Sequence, residues 1–519
     1  MSDALDRGIT VTEIAPMDRP IDVATDSMAA FVGRALRGPL NTPVLVESFG
    51  EFHRRFGGIW QRSSLGPAVK QFFDHGGRRL YVVRVASNAR GAMIALPAIG
   101  GFLVLRALEP GSTECIRAAI DYDGIDINEQ RFNMTIQRIA PDSGLVLDQE
   151  IYRDLTCEEG ESGFIGDELM NSTLIRAQYP MPDGRPAKTN ERYIEHAQPG
   201  TDGFPLTDYD LVGCAYRGTG IFALEAVEHF DLLYLPPPAR DQDPGPAAVV
   251  AADLYCRKRG AMLIMDPPHA WKSVRRAIEG VRAFGYSSPN IFTYYPRVYD
   301  KYEGGVAPRV VGAAIAGLLC KLDRHHGPWQ DLDQLGYGLR GNLVPAEKVS
   351  IDDAQMLVKE GINVIAGRTA GRSTICGSVT LAREAQLEDK FSSLTVMRLC
   401  LHITNTIDLA TRWTVFASNT IAVAERVTSL VHAYMSGLAD AGAFEDDMFV
   451  VQCDAGLYSS PVHRERGITV IVAFYPAGSN DTVSLALHQT VTGCRVATTA
   501  FGPVFDEYTQ ARKSKERAA

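Results

Sequence analysis

Hydrophobic positions in residues 23–90 alternate between short apolar runs and helical patterns. The apolar runs, which predict strands, are Ala29–Val32, Pro43–Val46 and Leu80–Val85. The helical patterns lie at Ser48–Phe56, with Ser48 as N-cap, and at Leu65–Phe73. Short apolar strands that alternate with helices are typical of a parallel sheet buried on both faces. We therefore predict that residues 23–90 form the first part of an α/β core.

The same alternation returns in residues 206–385. The predicted strands are Phe230–Leu235, Ala261–Met265 and Asn290–Tyr295, and the predicted helices are Ala247–Arg259 and Ala270–Gly285. Pro246 directly precedes the first of these helices, where a proline is tolerated. Strands and helices at this spacing predict a parallel sheet with right-handed crossovers. We interpret these residues as the α/β central domain.

Residues 91–205 have a different pattern. Phe132, Met134 and Ile136 alternate with polar residues, which is the two-residue period of a half-buried strand. Further strands are predicted at Leu145–Leu147 and Glu150–Tyr152. Residues 180–203 are rich in proline, glycine and polar side chains. We predict a β-rich domain inserted into the α/β core, an arrangement that is tolerated when the two ends of the insert lie close together.

Helical patterns followed by strand patterns occupy residues 386–505. One helical face carries the apolar residues Val396, Cys400, Ile403, Ile407 and Ala410. A second face carries Ala424, Val427, Val431, Met435 and Leu438, with Asn419 as the predicted N-cap. The strands that follow are predicted at Phe449–Gln452, Ile468–Phe474 and Val483–Leu487. We predict an α+β C-terminal domain, followed by a charged tail at residues 506–519.

Residues 1–22 contain a strand-forming run without a nearby partner. The run at residues 8–14 is rich in β-branched side chains, and Pro16 and Pro20 hinder a local hairpin. The backbone groups of a strand need hydrogen-bond partners. This segment therefore pairs with another chain, packs as an edge strand within its own chain, or is a disordered leader.

Composition narrows the class of protein. The chain has 519 residues, of which 45% are hydrophobic, and a formal net charge of -10. This length provides cores for several domains, and the negative charge disfavours nucleic acid and favours a basic partner surface.

Stretches such as Val310–Cys320 are short enough to be buried helices, so we expect no direct membrane insertion. Without a signal-peptide pattern, the nine unclustered cysteines indicate reduced thiols in a cytoplasmic protein.

The sequence predicts no catalytic, cofactor or metal site. Gly336–Gly341 matches G-x-G-x-x-G without a flanking strand and helix, and Gly213–Gly220 lacks the Lys-Ser/Thr of a phosphate loop. The adjacent His325 and His326 fit a surface loop better than a metal site. Asp266 follows a predicted parallel strand, where active sites of α/β sheets gather. Asp266 and the glycine loops support the alternative function, a cytoplasmic α/β hydrolase-like enzyme with a β-domain insertion.

A set of segments spread over most of the chain carries a resemblance to a known family. The segments are Thr25–Pro39, Val44–Gly58, Ala68–Val85, Tyr255–Pro267, Ala307–Asp323, Gly327–Trp329, Ile362–Asn363, Gly371–Arg372, Ile375–Leu381, Arg398–Leu399, Ile403, Trp413, Phe416 and Asn419. They resemble the tail sheath proteins of contractile bacteriophages and related injection systems. Their shared order carries the resemblance. The chain departs from the family at Pro476-Ala477-Gly478, where Pro-Ala-Glu is usual, and no family motif matches residues 91–205.

The resemblance implies a structural subunit and not an enzyme. Such a subunit has an α/β sheath core with an inserted β-rich domain, an α+β C-terminal domain and extended strand arms at both ends. It polymerises around an inner tube and contracts by subunit rotation to drive the tube through a target envelope. Its partners are further copies of itself, the inner tube protein, and baseplate and tail-terminator proteins, without a cofactor. It assembles in the bacterial cytoplasm and becomes part of a phage tail or phage-tail-like particle.

The resemblance also implies roles for particular residues. The N-terminal arm that contacts neighbouring subunits is expected to contain Ile9, Val11, Glu13 and Ile14. The C-terminal arm is either Val483–Leu487, with Val483, Leu485 and Leu487, or a later strand near Arg495–Thr499. The helix with Glu425 and Arg426 is the candidate for the tube-facing element, although an ordinary packed helix with a solvated charged face has the same pattern.

Overall fold

The computed structural model describes most of the chain, in two compact units. The described residues are 21, 26–126, 129–190, 192–239, 241–301, 307–367, 373–382, 389–416, 421–454, 468–479, 481–490 and 493–498. The central unit contains the described residues of Ser27–Leu322 and Leu332–Arg383. The C-terminal unit contains residues 21 and 26, Asp323–Asp331, and the residues described from 389 onwards.

The helices and strands are numbered in chain order. The helices are α1 (Phe49–Phe56), α2 (Leu65–Asp74), α3 (Ile165–Glu168), α4 (Asp208–Val212), α5 (Pro246–Arg259), α6 (Val274–Phe284), α7 (Gly312–His326), α8 (Ile351–Lys359), α9 (Leu394–Thr411) and α10 (Ile421–Asp440). The strands are β1 (Ala29–Gly33), β2 (Pro43–Val46), β3 (Leu80–Arg84), β4 (Gly91–Ala98), β5 (Gly101–Pro110), β6 (Cys115–Asp121), β7 (Arg131–Ile139), β8 (Val146–Thr156), β9 (Ile175–Gln178), β10 (Ile194–Glu195), β11 (Leu232–Tyr234), β12 (Met262–Met265), β13 (Ile291–Tyr295), β14 (Val298–Asp300), β15 (Gly338–Leu339), β16 (Leu343–Pro345), β17 (Asn363–Gly367), β18 (Ser373–Cys376), β19 (Phe444–Asp454), β20 (Thr469–Pro476), β21 (Val483–Thr490) and β22 (Gly493–Thr498).

A nine-stranded sheet, as far as the described residues show it, organises the central unit. Its strand order is β15-β18-β17-β13-β12-β11-β1-β3-β2. The strands from β17 to β3 pair in parallel, while β2, β18 and β15 are antiparallel additions. Every residue of β1 and β13 is buried, as expected for strands covered on both faces. The predicted parallel sheet is therefore confirmed, with strand ends shifted by one or two residues.

Local signals in the sequence account for several helix ends. The Ser48 hydroxyl accepts a hydrogen bond of 3.2 Å from the backbone N–H of Glu51, which confirms Ser48 as the N-cap of α1. Pro246 is the first residue of α5, and Gly260 ends that helix in a left-handed conformation. The loop predicted for His325 and His326 is wrong, because both lie exposed in the last turn of α7.

Two antiparallel sheets account for the strands predicted in residues 91–205. Their orders are β4-β5-β9 and β10-β6-β7-β8. Both sheets contribute to one cluster of buried apolar side chains, which contains Phe132, Met134 and Ile136. The two strands predicted at Leu145–Leu147 and Glu150–Tyr152 are one continuous strand, β8. That this segment is a separate inserted domain stays a prediction.

The C-terminal unit packs two helices against an antiparallel sheet. The sheet order is β19-β20-β21-β22, so each strand neighbours the next one along the chain. The predicted apolar residues of α9 and α10 are buried in this unit, except Ala410, which is half-buried. The predicted N-cap Asn419, the N-terminal segment 1–20 and the charged tail 506–519 lie outside the described residues.

Candidate assembly surface

The C-terminal sheet has two long strands at its edges. Within the described residues, β19 pairs only with β20 and β22 pairs only with β21. β19 has 11 residues and β22 has six. The unpaired side of an edge strand presents a row of backbone N–H and C=O groups, which is a template for a strand from another chain. These two edges are the candidate assembly surface.

The structure places the predicted C-terminal arm residues inside this sheet. Leu485 of β21 lies opposite Val472 of β20 and also opposite Thr498 of β22. Val483, Leu485 and Leu487 are buried in the core that α9 and α10 cover. Strand β21 therefore has both sides paired within its own chain. The alternative position near Arg495–Thr499 coincides with the edge strand β22, except for Thr499, which lies outside the described residues.

Gln489 ties strand β21 to helix α9. Its side chain is buried, and its amide nitrogen donates to the backbone carbonyl of Asp408 at 3.0 Å and to the Thr411 hydroxyl at 2.7 Å. Both acceptors lie in the last turn of α9. Because buried polar groups are costly without partners, these hydrogen bonds fix the sheet against the end of the helix.

A buried ion pair joins two of the resembling segments within the C-terminal unit. The guanidinium of Arg398, in α9, donates to both carboxylate oxygens of Asp323. The side chain of Asp323 is fully buried and that of Arg398 is only 6% exposed. Trp329 of the following Gly-Pro-Trp segment lies in the same core. The pair fixes residues 323–331 against helix α9.

Helix α10 carries the predicted tube-facing residues. Glu425 is exposed, while Arg426 is half-buried. The guanidinium of Arg426 stands 5.2 Å from the ring centroid of Trp413, a cation–π distance. Ala424 and Val427 on either side point into the core. Glu425 is the more accessible of the two charges, and the tube-facing role of both stays a prediction.

The residues predicted for the N-terminal arm lie outside the described residues, but Ile21, which follows them in the chain, is described. Ile9, Val11, Glu13 and Ile14 belong to the part of the chain that the structure does not describe. Ile21 is half-buried and packs against the core of the C-terminal unit. Ile21, which belongs to the segment 1–22 that contains the predicted arm, is therefore anchored in this core.

Asp266 has a structural explanation for its position after strand β12. Its carboxylate accepts hydrogen bonds from the Tyr234 hydroxyl and, at 2.9 Å, from the backbone N–H of Gly312, the first residue of α7. Burial raises the pKa of Asp266 to about 6. Carboxylates are favourable at helix N-termini, so Asp266 serves to anchor α7 to the end of the sheet.

A second polar cluster lies at the same end of the sheet. The Asp243 carboxylate pairs with the Arg297 guanidinium and lies 2.9 Å from Nδ1 of His269, while Nε of Arg297 donates to the Pro267 carbonyl at 2.8 Å. Burial acts to raise the pKa of Asp243, but hydrogen bonds from His269 and the charge of Arg297 outweigh it and lower that pKa. These side chains hold the loops after β12 and β13 together.

The described residues lack a metal-binding cluster and a membrane-spanning helix. Over those residues, no group of three or more His, Cys, Asp and Glu side chains is placed to hold a metal ion. No helix in that part of the chain is both long and apolar enough to cross a membrane.

Comparison with known proteins identifies the fold. No protein-family model matches the chain, and no curated protein matches it significantly. Among solved structures, the sheath tail protein from Listeria innocua matches with a TM-score of 0.60 and 11% identity, over 91% of this chain and 96% of that one. The chain has the fold of contractile-sheath subunits.

Two other sheath proteins agree with this assignment. The sheath tail protein from Desulfitobacterium hafniense gives a TM-score of 0.53 at 14% identity, over 92% of this chain and 99% of that chain. The contracted PVC sheath complex of an extracellular contractile injection system gives 0.53 at 13% identity, over 92% and 95%. The sheath fold that the sequence resemblance implies is therefore confirmed.

The sheath fold also shows what sequence reasoning missed. The sequence indicates the two segments that contain Asp323 and Arg398. It does not show that these residues pair, because they are 75 positions apart. One signal was available. Arg398 lies in α9 among Val396, Leu399 and Cys400, and an arginine on a buried apolar face needs a buried partner. The tie between Gln489 and the end of α9 had no comparable signal.

Proposed function

We propose that this protein is the structural subunit of a contractile sheath. It polymerises around an inner tube and contracts by subunit rotation to drive the tube through a target envelope. The observation that carries the proposal is the sheath fold, which extends over more than 90% of this chain and of the Listeria protein. Such a subunit belongs to a phage tail, a tailocin or an intracellular injection system, and is assembled in the bacterial cytoplasm.

We infer that strand addition at the C-terminal sheet links the subunits. The N-terminal arm, with Ile9, Val11, Glu13 and Ile14, adds to a free sheet edge of a neighbouring copy, since the nearby prolines hinder a local hairpin. Strand β22 is a better candidate for the C-terminal arm than β21, because β21 has both sides paired within its chain. Contacts of this head-to-tail kind do not close, so they generate a filament.

The other partners follow from the same proposal. The inner tube protein lies against α10 with Glu425 and Arg426, and baseplate and tail-terminator proteins bind the two ends of the sheath. Contraction is a rigid-body rotation of subunits in which the arms stay linked and act as hinges. The stroke uses free energy stored in the packing between subunits, so the proposal includes no nucleotide, no nucleic acid and no catalytic role.

Negative-stain electron microscopy of the chain expressed alone tests this function. We expect hollow, cross-striated tubes whose number rises with protein concentration. The variant Val11→Pro removes a backbone donor in the middle of the arm, so it should stay folded and form no tubes. The matched control Val11→Ala keeps the backbone donor and should still polymerise.

Two outcomes would contradict the proposal. Normal tubes from Val11→Pro would show that the N-terminal arm is not needed for polymerisation. The sheath role would be excluded if only single subunits were seen at high protein concentration, both alone and after co-expression with a candidate tube protein. In that second case the α/β hydrolase-like alternative would be tested next, at Asp266 and at the separate cluster of Asp243 and His269.

A further inference from the structure

Strand β8, in the central unit, has a long free edge. It has 11 residues, and within the described residues it pairs along its length only with β7. On its other side, the described residues form one backbone bridge, between Thr156 and Phe164 at the end of the strand. Strand β4, at the edge of the neighbouring sheet, is covered by bridges from Met93 to Gln198 and from Ala98 to Pro186. The edge of β8 is thus open in a segment whose other long edge is covered.

Apolar side chains are exposed along this edge. Leu145 is 67% exposed, Val146 46%, Leu147 47% and Ile151 56%. Charges and bulges usually protect edge strands from pairing; β8 has two irregularities of register with β7 and carries charges, yet it also exposes these aliphatic side chains. Four exposed aliphatic side chains on or beside one edge strand are typical of a surface that another chain covers.

The charge of this region is strongly negative. Residues 91–205 contain 19 acidic and nine basic side chains, so this segment alone accounts for the formal net charge of -10. Within it, residues 142–168 contain nine acidic residues and one basic residue, Arg153. Arg138 and Arg131 of β7 pair with Asp148 at 3.2 Å and with Asp154 at 2.8 Å, which neutralises only part of this charge.

Three further carboxylates lie near the two ends of the strand. Asp142 precedes β8, and Glu158 and Glu159 follow it, all exposed. Glu150 is occupied in a different way, because its carboxylate accepts hydrogen bonds from Ser172 and Thr173. A strand bound at this edge would therefore lie between exposed acidic groups at both ends.

This charge distribution distinguishes the possible occupants. If two copies of the chain paired through β8, each would bring the same acidic ends to the contact, and like charges would repel. A segment with basic side chains would be attracted instead, and a free strand edge binds an extended backbone. We propose that the free edge of β8 is a docking site for an extended, cationic segment of another protein, which adds to the sheet as a further strand.

Binding of designed peptides to the full chain tests this site. The probe is a fluorescein-labelled ten-residue peptide that alternates lysine and valine. The control peptide alternates lysine and proline, so it has the same charge but cannot pair as a strand. We expect the lysine–valine peptide to bind about tenfold more tightly at the same salt concentration, measured by fluorescence anisotropy, and to weaken as salt is raised.

Protein variants locate the binding on β8. Leu147→Lys combined with Ile151→Lys places like charges on exposed positions of the strand, and should weaken the lysine–valine peptide about tenfold. The matched control is Phe102→Lys, which is equally exposed, at 59%, but lies on β5 in the other sheet. It should change the affinity by less than about twofold. Neutralising the ends with Asp142→Asn, Glu158→Gln and Glu159→Gln should reduce both the affinity and its salt dependence.

Three results would overturn the proposal. Equal affinity for the two peptides would show attraction by charge alone. Equal effects of the β8 variant and Phe102→Lys would place the binding elsewhere. The third result would be that the triple variant at Asp142, Glu158 and Glu159 self-associates and still binds the lysine–valine peptide with unchanged affinity. The acidic residues would then serve only to prevent the β8 edges of two copies from pairing. The outcome does not depend on polymerisation into a sheath, because neither strand arm takes part in it.

Discussion

The central sheet and the C-terminal sheet end in different kinds of edge. The central sheet ends in β2, which has four residues and begins with Pro43, and in β15, which has two residues. The C-terminal sheet ends, within the described residues, in β19 with 11 residues and β22 with six. Short edges and an edge proline discourage pairing with other chains, whereas long edges permit it. The difference indicates one sheet that holds its shape and another that other chains can extend.

Both sheets combine apolar packing with buried polar contacts. In the central sheet, Phe31 of β1 packs edge-on against Phe72 and Tyr234, with ring centroids 5.5 and 5.0 Å away, and the Tyr234 hydroxyl donates to the carboxylate of Asp266. In the C-terminal unit, the buried Asp323–Arg398 pair and the amide of Gln489 complete the contacts of α9. Because buried polar contacts need defined partners, they fix the arrangement of the elements that they join.

Replacing Arg398 by methionine should have the largest effect. It leaves the carboxylate of Asp323 buried without its cation, which costs about 3–5 kcal/mol of the free energy of unfolding. The loss should be confined to the C-terminal unit. Hydrogen exchange measured by mass spectrometry should accelerate in α9, α10 and β20, while β1 and β13 of the central sheet keep their protection.

Two controls make this prediction specific. The double variant Asp323→Leu with Arg398→Met replaces both partners by apolar groups and should recover most of the stability. Arg275→Met removes an exposed ion pair with Glu279 in α6, and should leave the unfolding curve unchanged. An equal loss in the single and double variants would mean that packing of the arginine, not its charge, stabilises the unit.

Gln489→Met should have a smaller effect in the same unit. Methionine keeps the volume but removes the donors to Asp408 and Thr411, and leaving buried acceptors unpaired costs about 1–3 kcal/mol. Exchange should accelerate at the end of α9 and in β21. The control is His488→Gln at the half-buried neighbouring position, which should change the midpoint of denaturation less. Unchanged exchange in α9 would show that the core alone fixes the sheet to the helix.

The sequence predicted the elements that local physics determines. Strands such as β1 and β13 and helices such as α1 and α5 follow from apolar runs, a serine cap and an N-terminal proline. It could not decide between β21 and β22 as an arm, because both are strand-forming and only tertiary pairing shows which one is at the edge. The same holds for the buried ion pair of the C-terminal unit, because Asp323 and Arg398 meet through the fold and not through their spacing in the sequence.

Two features show the limits of reading the sequence as a whole. The prediction of a loop at the adjacent histidines of α7 is wrong, because basic residues also favour the last turn of a helix. The acidic character of residues 91–205 does not show in a net charge for the whole chain, whereas charge counted by segment indicates it.

The smallest predicted effect lies in the central unit, at Asp266. The pKa of this buried carboxyl is raised from 3.8 to about 6 in the folded protein, so the folded state binds more protons than the unfolded state between these two values. Lowering the pH from 7.5 to 5 should therefore stabilise the central unit through this group by about 1 kcal/mol.

Asp266→Asn carries no titrating carboxyl and should lose this contribution, as measured by urea denaturation at both pH values. The C-terminal unit of the same variant should keep its pH dependence, since Asp266 has no part in its core. If the pH dependence of the variant matched that of the original chain, the carboxyl that anchors α7 would not titrate in this range, and its raised pKa would be wrong.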